Sequence, residues 1–172
     1  MPWRRRPPRP EEEKCADPAK ARARALALLA GREMASAQLY ERLCRSYTGQ
    51  AAAAAVAELV ERGYLDDARY AEARAHSLLC AHKSRRAAAQ SLRQAGLTAP
   101  QVEQALAAVY DAPEDEGESP ELAAAVALIE RRYAPKLAAG RRDLVVAALQ
   151  RRGFAYPVIR AALAAAQADG TT

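Results

Sequence analysis

Apolar residues recur at helical spacing along most of the chain. Val102, Leu106 and Val109 stand at positions i, i+4 and i+7, and Leu39 and Leu43 stand four residues apart. This period places apolar side chains on one face of an α-helix, and no alternating β-branched run of the kind that forms a strand is found. The pattern predicts an all-α protein with nine helices. Their expected ranges are 18–30, 36–46, 50–62, 66–81, 85–95, a sixth beginning after Thr98, a seventh from 120 to about 133, 141–152 and 156–168.

Capping residues mark where these helices begin and end. Small polar side chains precede most of the helices, and their oxygens can accept from the N–H groups of the first turn. The candidate N-caps are Asp17, Ser36, Asp66, Ser84, Thr98 and Ser119. Glycine adopts the left-handed conformation readily and therefore ends helices. It occupies four such positions, which are Gly31, Gly63, Gly96 and Gly153.

The tightest of these connections is predicted at residues 63–71. Gly63 closes one helix, with Tyr64 as its apolar C″ contact, and Asp66 caps the next. Leu65 and Tyr70 then stand at N′ and N4, the spacing of a hydrophobic staple. A stapled helix–helix corner is therefore expected here.

A period of 50 residues relates the thirds of the chain. It is seen in the doublets Leu28-Leu29, Leu78-Leu79 and Leu128-Ile129, each in the first helix of a set of three. Such a period in helical sequence is typical of a tandem array, in which neighbouring units share apolar faces. We therefore expect an elongated, curved array of three tandem three-helix repeats. The expected boundaries are a disordered Arg/Pro-rich arm at 1–16, repeats at 17–65, 66–111 and 120–168, and an acidic linker at 112–119.

Composition and charge narrow the class of protein. The formal net charge is +5, and residues 1–24 carry eight Lys/Arg against four acidic residues, so most of the excess lies in this N-terminal segment, which includes the arm. A basic arm favours polyanionic partners. No apolar run reaches the roughly 20 residues that span a bilayer, and the residues before the first predicted helix lack the apolar segment that is typical of a signal peptide. The three cysteines are far apart, which is typical of a reducing compartment. A cytoplasmic monomer without membrane contact is expected.

Groups that could support catalysis or bind a metal are scarce. Cys80 and His82 stand at i, i+2 and would point to different helix faces, which is poor geometry for a metal. Asp66 and Asp67 could be a pair of catalytic carboxylates, but an N-cap role accounts for their position. The glycines are isolated, so they form no phosphate loop. The sequence predicts no catalytic residue, no metal, no cofactor and hence no enzyme.

Arginine is the residue type with a suggestive distribution. Pairs occur at predicted helix ends, and stacking of repeats would place Arg86 and Arg142 on related faces. The candidate binding residues are Arg85, Arg86, Arg93, Arg131, Arg132, Arg141, Arg142, Arg151 and Arg152. Guanidinium groups suit carboxylates or phosphates, so these residues could contact an acidic protein surface or DNA. They could equally favour helix C-termini and solubility.

Aromatic side chains near the turns have two interpretations as well. Tyr64, Tyr70, Tyr133 and Phe154 are expected to be core or staple residues, and the alternative is that they stack on nucleobases. Together with the turn residues they complete the predicted structural motif, which comprises Gly63, Tyr64, Leu65, Asp66, Asp67, Tyr70, Gly96, Gly153 and Phe154.

Three sequence runs resemble the RecX family of bacterial recombinase regulators. They are Gly-Tyr-Leu-Asp-Asp-Ala-Arg-Tyr-Ala at 63–71, Arg-Ala-Ala-Ala-Gln-Ser-Leu-Arg-Gln-Ala-Gly at 86–96 and Leu-Gln-Arg-Arg-Gly-Phe-Ala-Tyr-Pro-Val-Ile at 149–159. The resemblance covers about residues 24–166. Ser46-Tyr47 departs from the glycine–aromatic pair that the family usually has after its second helix.

The resemblance implies a fold of tandem three-helix repeats and a partner. Proteins of this family bind the RecA filament on single-stranded DNA and restrain recombination, ATP hydrolysis and coprotease activity, and some also bind single- or double-stranded DNA. This chain is therefore expected to be a RecA modulator acting in DNA repair and the SOS response. The alternative is a helical module or transcription regulator that reads duplex DNA through one helix–turn–helix corner.

Overall fold

The computed structural model describes residues 10–111 and 119–168, which are all-α. Among these residues the only β-type pairing is an isolated bridge between Cys15 and Tyr47. A short 3-10 helix at Glu11–Glu13 precedes ten α-helices. They are α1 (Pro18–Gly31), α2 (Ser36–Leu43), α3 (Gly49–Glu61), α4 (Asp67–Cys80), α5 (Arg85–Gln94), α6 (Ala99–Tyr110), α7 (Pro120–Arg132), α8 (Ala134–Ala138), α9 (Arg142–Arg151) and α10 (Tyr156–Ala168). The all-α prediction is confirmed.

The helix α8 was not predicted. The seventh helix was predicted to end at about residue 133, and α7 does end at Arg132, before Tyr133 leaves helical geometry with φ −122°. Pro135, however, lies in the first turn of α8. Proline is compatible with that position because the first-turn N–H groups have no intrahelical acceptor. The same residue that stops one helix therefore starts the next.

The described residues up to Tyr70, together with residues 95–97, form one compact unit. Helix α1 packs on α2 and α3 around buried leucines and small alanines. Ala21, Ala25 and Ala55 are at most 1% exposed, and their small side chains let the helices approach closely. Two larger apolar residues of these helices are exposed, namely Leu26 and Val60.

Residues 71–94 and those from Thr98 onward form the second unit. A hydrophobic core of this unit joins α7, α9 and α10, with Ile129, Val145, Leu149, Ile159 and Leu163 almost completely buried. Helix α5 packs on α6. These two units are defined by contacts between residues, whereas the predicted boundaries divide the chain by its sequence repeat. The repeat boundaries therefore stay a prediction.

Residues 10–16 are ordered, so the expected disorder of residues 1–16 is wrong for this part. The Cys15 N–H donates to the Ser46 carbonyl at 3.0 Å, and the Thr48 N–H donates to the Cys15 carbonyl at 3.0 Å. The Glu11 carboxylate also accepts from the Gly49 N–H at 2.8 Å. Residues 1–9 of the predicted arm and 112–118 of the predicted linker lie outside the described residues.

Most of the predicted N-caps are confirmed, and one is not. The Asp66 carboxylate accepts from the Arg69 N–H at 3.0 Å, as a cap of α4 should. Ser36, by contrast, is the first residue of α2 and Ala35 is its N-cap. The Asp67 carboxylate accepts from the Ser36 N–H at 2.8 Å. The missing cap of α2 is thus supplied by a side chain 31 residues away.

Candidate functional site

Basic side chains line two neighbouring concave surfaces of the second unit. The larger of the two, which we call the His82 groove, has a volume of ≈ 430 Å³, which is within the range of small-ligand clefts. Its lining residues are Cys80, Ala81, His82, Lys83, Leu128, Arg131, Arg132 and Arg152. The smaller, the Arg86 groove, has a volume of ≈ 240 Å³ and is lined by Arg86, Ala87, Gln90, Gln150, Arg151, Arg152 and Gly153. Arg152 borders both grooves.

Three elements contribute the cations of the His82 groove. His82 and Lys83 lie in the turn between α4 and α5, Arg131 and Arg132 end α7, and Arg152 is the C-cap of α9. These residues are far apart in the sequence and meet only through packing of the second unit. The charge of the groove is therefore a product of the fold.

Buried polar contacts hold the two turns in place. The Ser84 hydroxyl, 0% exposed, donates to the Arg152 carbonyl at 2.8 Å. It also accepts from the Ala87 N–H at 3.1 Å as the predicted N-cap of α5. The Tyr110 hydroxyl donates to the Lys83 carbonyl at 3.1 Å. Burial raises the pKa of Tyr110, which keeps this donor protonated.

The Arg152 side chain is oriented by an aromatic ring. Its guanidinium carbon lies 5.7 Å from the ring centroid of Tyr133, which is 9% exposed. The Lys136 ammonium lies at the same distance from this ring. Both distances are within the range of a cation–π interaction. Tyr133 is thus a buried residue, as predicted, and it also positions a cation of the groove.

His82 has an unusual backbone conformation. Its φ is +51°, and it is the one residue other than glycine with a positive φ in the described parts of the chain. The turn resembles a glycine-ended helix terminus, because the Lys83 N–H donates to the Leu78 carbonyl at 3.0 Å. A left-handed conformation costs a non-glycine residue about 1–2 kcal/mol. The His82 Nε2 lies 3.4 Å from Nη1 of Arg131.

The cations of this groove have no carboxylate partner within the part of the chain that the structure describes. The ion pairs found there involve other residues, and no acidic residue lines the groove. Lys83, Arg131, Arg132 and Arg152 therefore add their positive charges in one concave surface. Such a surface concentrates the field and attracts anions.

Arg85 differs from the other candidate arginines because acidic residues already engage it. Its Nε and Nη2 donate to both oxygens of Asp111 at 3.1 and 3.0 Å, and Nη2 donates to Glu103 at 2.6 Å. Hydrogen bonds to Asp111 and then to Glu103 raise the pKa of Arg85. This side chain links α5 to α6 and its C-terminal end, which indicates a structural role.

The remaining candidate arginines do not border either groove. Arg93 and Arg142 are exposed, and Arg141 lies 4.0 Å from Asp143. Arg85 and Arg142 are also the first residues of their helices, so the interpretation that arginines favour helix C-termini does not apply to them. Lys83 and His82 border the His82 groove and were not among the binding residues predicted from the sequence. A helix that ends without glycine, at His82, was the signal that could have identified this turn.

The other motif residues have mostly structural positions. Leu65 and Phe154 are each 4% exposed, and the half-buried Tyr70 donates its hydroxyl to Gln38 at 3.3 Å. Tyr64 is 58% exposed, so its interpretation as a core residue is wrong. The chain leaves it at the surface because Leu65, the next residue, takes the buried position.

Neither a metal site nor a membrane span is found in residues 10–111 and 119–168. No group of three or more His, Cys, Asp or Glu side chains there could hold a metal ion. None of the helices there combines the length and apolar character needed to cross a bilayer.

Comparison with known proteins identifies one family. Residues 66–106 match the model of the second three-helix domain of RecX. A curated protein of Halorhodospira halophila named "Regulatory protein RecX" is 36% identical over 148 residues, which cover 84% of this chain and 87% of that protein. A protein of the same name from Trichlorobacter lovleyi is 35% identical over 146 residues, which cover 79% of this chain and 88% of that protein.

Solved structures agree with these sequence matches at the level of the fold. A crystal structure of RecX from Lactobacillus salivarius has a TM-score of 0.74 and 17% identity, and the match covers 88% of this chain and 97% of that one. A crystal structure of regulatory protein RecX has a TM-score of 0.70 and 20% identity, with 83% and 70% covered. The all-α repeat fold is therefore shared with these structures.

Proposed function

The chain belongs to the RecX family, and we propose on this basis that it binds the RecA filament and restrains its recombination, ATPase and coprotease activities. It would do so as a cytoplasmic monomer and by contact rather than by catalysis. The proposal assigns the filament contact to the arginines of the two basic grooves, with Arg85 retained as a structural link.

The cations of the His82 groove have no carboxylate partner among residues 10–111 and 119–168, and this observation supports the proposal most directly. A recombinase filament on single-stranded DNA presents phosphates and protein carboxylates, and guanidinium groups bind either kind of anion through planar, paired donors. Charges without a carboxylate partner in the described parts of the chain can make such contacts. The Arg86 groove extends the same basic surface through Arg86 and Arg151.

Co-sedimentation with RecA, single-stranded DNA and nucleotide tests the proposal. We expect the purified chain to sediment with filaments and to lower RecA ATPase and strand exchange at micromolar concentration. The double variant Arg131→Ala/Arg132→Ala should bind filaments less tightly, whereas Arg93→Ala/Arg142→Ala removes the same charge outside the grooves and should bind as the wild type does. Unchanged ATPase and strand exchange, without co-sedimentation, would contradict the proposal.

The alternative function, a helical module acting on duplex DNA, predicts a different result. Tight and sequence-selective duplex binding in the absence of RecA would favour it, since sequence is read from base edges in the major groove. An effect on RecA that disappears when duplex DNA is omitted would favour it as well.

A further inference from the structure

We propose that the His82 groove binds a phosphate group of the nucleic-acid backbone. The inference deepens the proposed function by naming the chemical group that this surface takes. It can be tested without RecA, so its failure is distinguishable from failure of the filament proposal.

The arrangement of donors favours phosphate over an acidic protein side chain. A carboxylate presents two coplanar oxygens, which a single guanidinium fork can satisfy, as Asp111 and Arg85 show within this protein. Phosphate oxygens point in tetrahedral directions and accept from several donors at once. The His82 groove brings three guanidinium groups and the Lys83 ammonium to one concave surface from three different elements. Such a convergence suits phosphate.

The backbone conformation of His82 indicates that its side chain has a role. The positive-φ glycines in the described residues are Gly63, Gly96, Gly140 and Gly153, and His82 is the residue that takes this conformation with a side chain. Strain of this kind persists where the surrounding structure requires it and is frequent at functional sites. The imidazole Nε2 can accept from Nη1 of Arg131 at 3.4 Å. We assign His82 as a positioning residue that orients the Arg131 guanidinium, whose remaining N–H groups can then donate to the anion.

The groove is also largely preorganised. The Ser84 hydroxyl fixes the Arg152 carbonyl, the Tyr110 hydroxyl fixes the Lys83 carbonyl, and the ring of Tyr133 supports the Arg152 guanidinium. Donors that are held before binding lose less conformational entropy when the anion arrives. The site therefore has a basis for affinity beyond its net charge.

His82→Gly separates a positioning role from a merely structural one. Glycine removes the left-handed strain, so the midpoint of thermal unfolding should rise by roughly 2–4 °C. The affinity for a fluorescein-labelled oligothymidylate, measured by anisotropy at fixed ionic strength, should fall by about 2- to 10-fold, as expected for the loss of one hydrogen bond. A merely structural residue would not move stability and affinity in opposite directions.

Arginine variants test the anion site itself. We expect Arg131→Ala/Arg132→Ala to lower oligothymidylate affinity by about tenfold or more. The charge-matched control Arg93→Ala/Arg142→Ala should change it by less than about twofold, because distant exposed charges are screened. Potassium phosphate should displace the oligonucleotide more effectively than potassium chloride at equal ionic strength.

Four results would overturn the proposal. One is equal loss of affinity in both double variants, which would indicate a general charge effect. Another is an oligothymidylate affinity that neither His82→Gly nor Arg131→Ala/Arg132→Ala lowers. The third is displacement by polyglutamate but not by phosphate, which would assign the groove to an acidic protein surface. The fourth is that phosphate specifically stabilises the folded wild type while the variants bind the oligonucleotide as tightly as the wild type does. This result would show a site for free phosphate only and would reject the nucleic-acid assignment.

Discussion

At the scale of single residues, Gly96 lies in a turn where both the backbone angle and the surroundings exclude a side chain. Its φ is +85°, and a Cβ atom built on it would lie 2.4 Å from the Cβ of Ala37. Gly63 has a similar φ of +73°, but nothing lies within 4 Å of its ideal Cβ position. The two glycines thus share a backbone requirement and differ in the space around them.

This difference predicts unequal effects of the same substitution. Gly63→Ala should lower the free energy of unfolding by about 1–2 kcal/mol, the cost of a left-handed conformation. Gly96→Ala should lower it by about 2–5 kcal/mol, because overpacking against Ala37 adds to that cost. Urea denaturation of the two variants measures both values. Equal losses would show that the turn at Gly96 relaxes away from Ala37.

How well single residues could be predicted depends on what decides their positions. Asp66 and Ser84 were predicted correctly as caps, because the N–H groups of a first helical turn need acceptors wherever the helix packs. Tyr64 was predicted to be a core or staple residue and is exposed, since burial depends on which neighbouring element covers the residue. His82 could not be recognised from propensity, because its conformation is imposed by the turn between two packed helices.

At the scale of helices, α2 depends on an acceptor from elsewhere in the chain. Asp67→Ala should lower the free energy of unfolding by about 1 kcal/mol, the usual effect of removing a helix cap. Asp67→Asn retains a side-chain oxygen that can accept from the Ser36 N–H, so it should lose less. Chemical denaturation compares the two variants. If Asp67→Asn lost as much as Asp67→Ala, the carboxylate would act through its charge rather than as a cap.

Helix α7 carries a half-buried carboxyl group in its first turn. Burial raises the pKa of Glu121, and the hydrogen bond from the Arg85 N–H, 3.0 Å long, partly opposes this. The folded state therefore holds the proton more tightly than the unfolded state does. The stability that this group contributes is fully present below its ordinary pKa of 4.5 and is lost as the pH rises through the raised folded-state pKa.

The corresponding variant is Glu121→Gln, which cannot ionise and keeps an oxygen that can accept from the Arg85 N–H. The difference between its free energy of unfolding and that of the wild type should increase in favour of the variant as the pH rises from about 4.5. This difference should become constant above the folded-state pKa of Glu121. Urea denaturation at several pH values between about 4 and 7 measures the difference. A difference that is independent of pH would mean that Glu121 titrates alike in both states.

Helices themselves were the most predictable feature, and their connections were less so. The period of apolar residues located the nine long helices to within a few residues. The short helix α8 was missed because Pro135 can either stop or start a helix. The pairing of Cys15 with residues 46–48 was not predicted, because no local sequence pattern indicates a contact between segments so far apart in the chain.

At the scale of the whole molecule, folding determines which basic residues act together. Nine arginines were candidates from sequence, and the structure places Arg131, Arg132 and Arg152 around one groove while Asp111 and Glu103 engage Arg85. A count of charges could not make this distinction, since it depends on the packing of α5, α7 and α9 within the second unit. The predicted binding role of these residues stays a prediction.

The salt dependence of single-stranded DNA binding can distinguish assembled from dispersed charge. Each phosphate neutralised on a single strand contributes about −0.7 to the slope of log affinity against log salt concentration. If Arg131 and Arg132 hold one phosphate in the His82 groove, their joint replacement by alanine should make the slope less steep by about 0.7. Arg93→Ala/Arg142→Ala lowers the net charge equally and should leave the slope nearly unchanged. Anisotropy titrations over a range of potassium chloride concentrations measure these slopes, and equal changes in both variants would show that binding follows net charge rather than the groove.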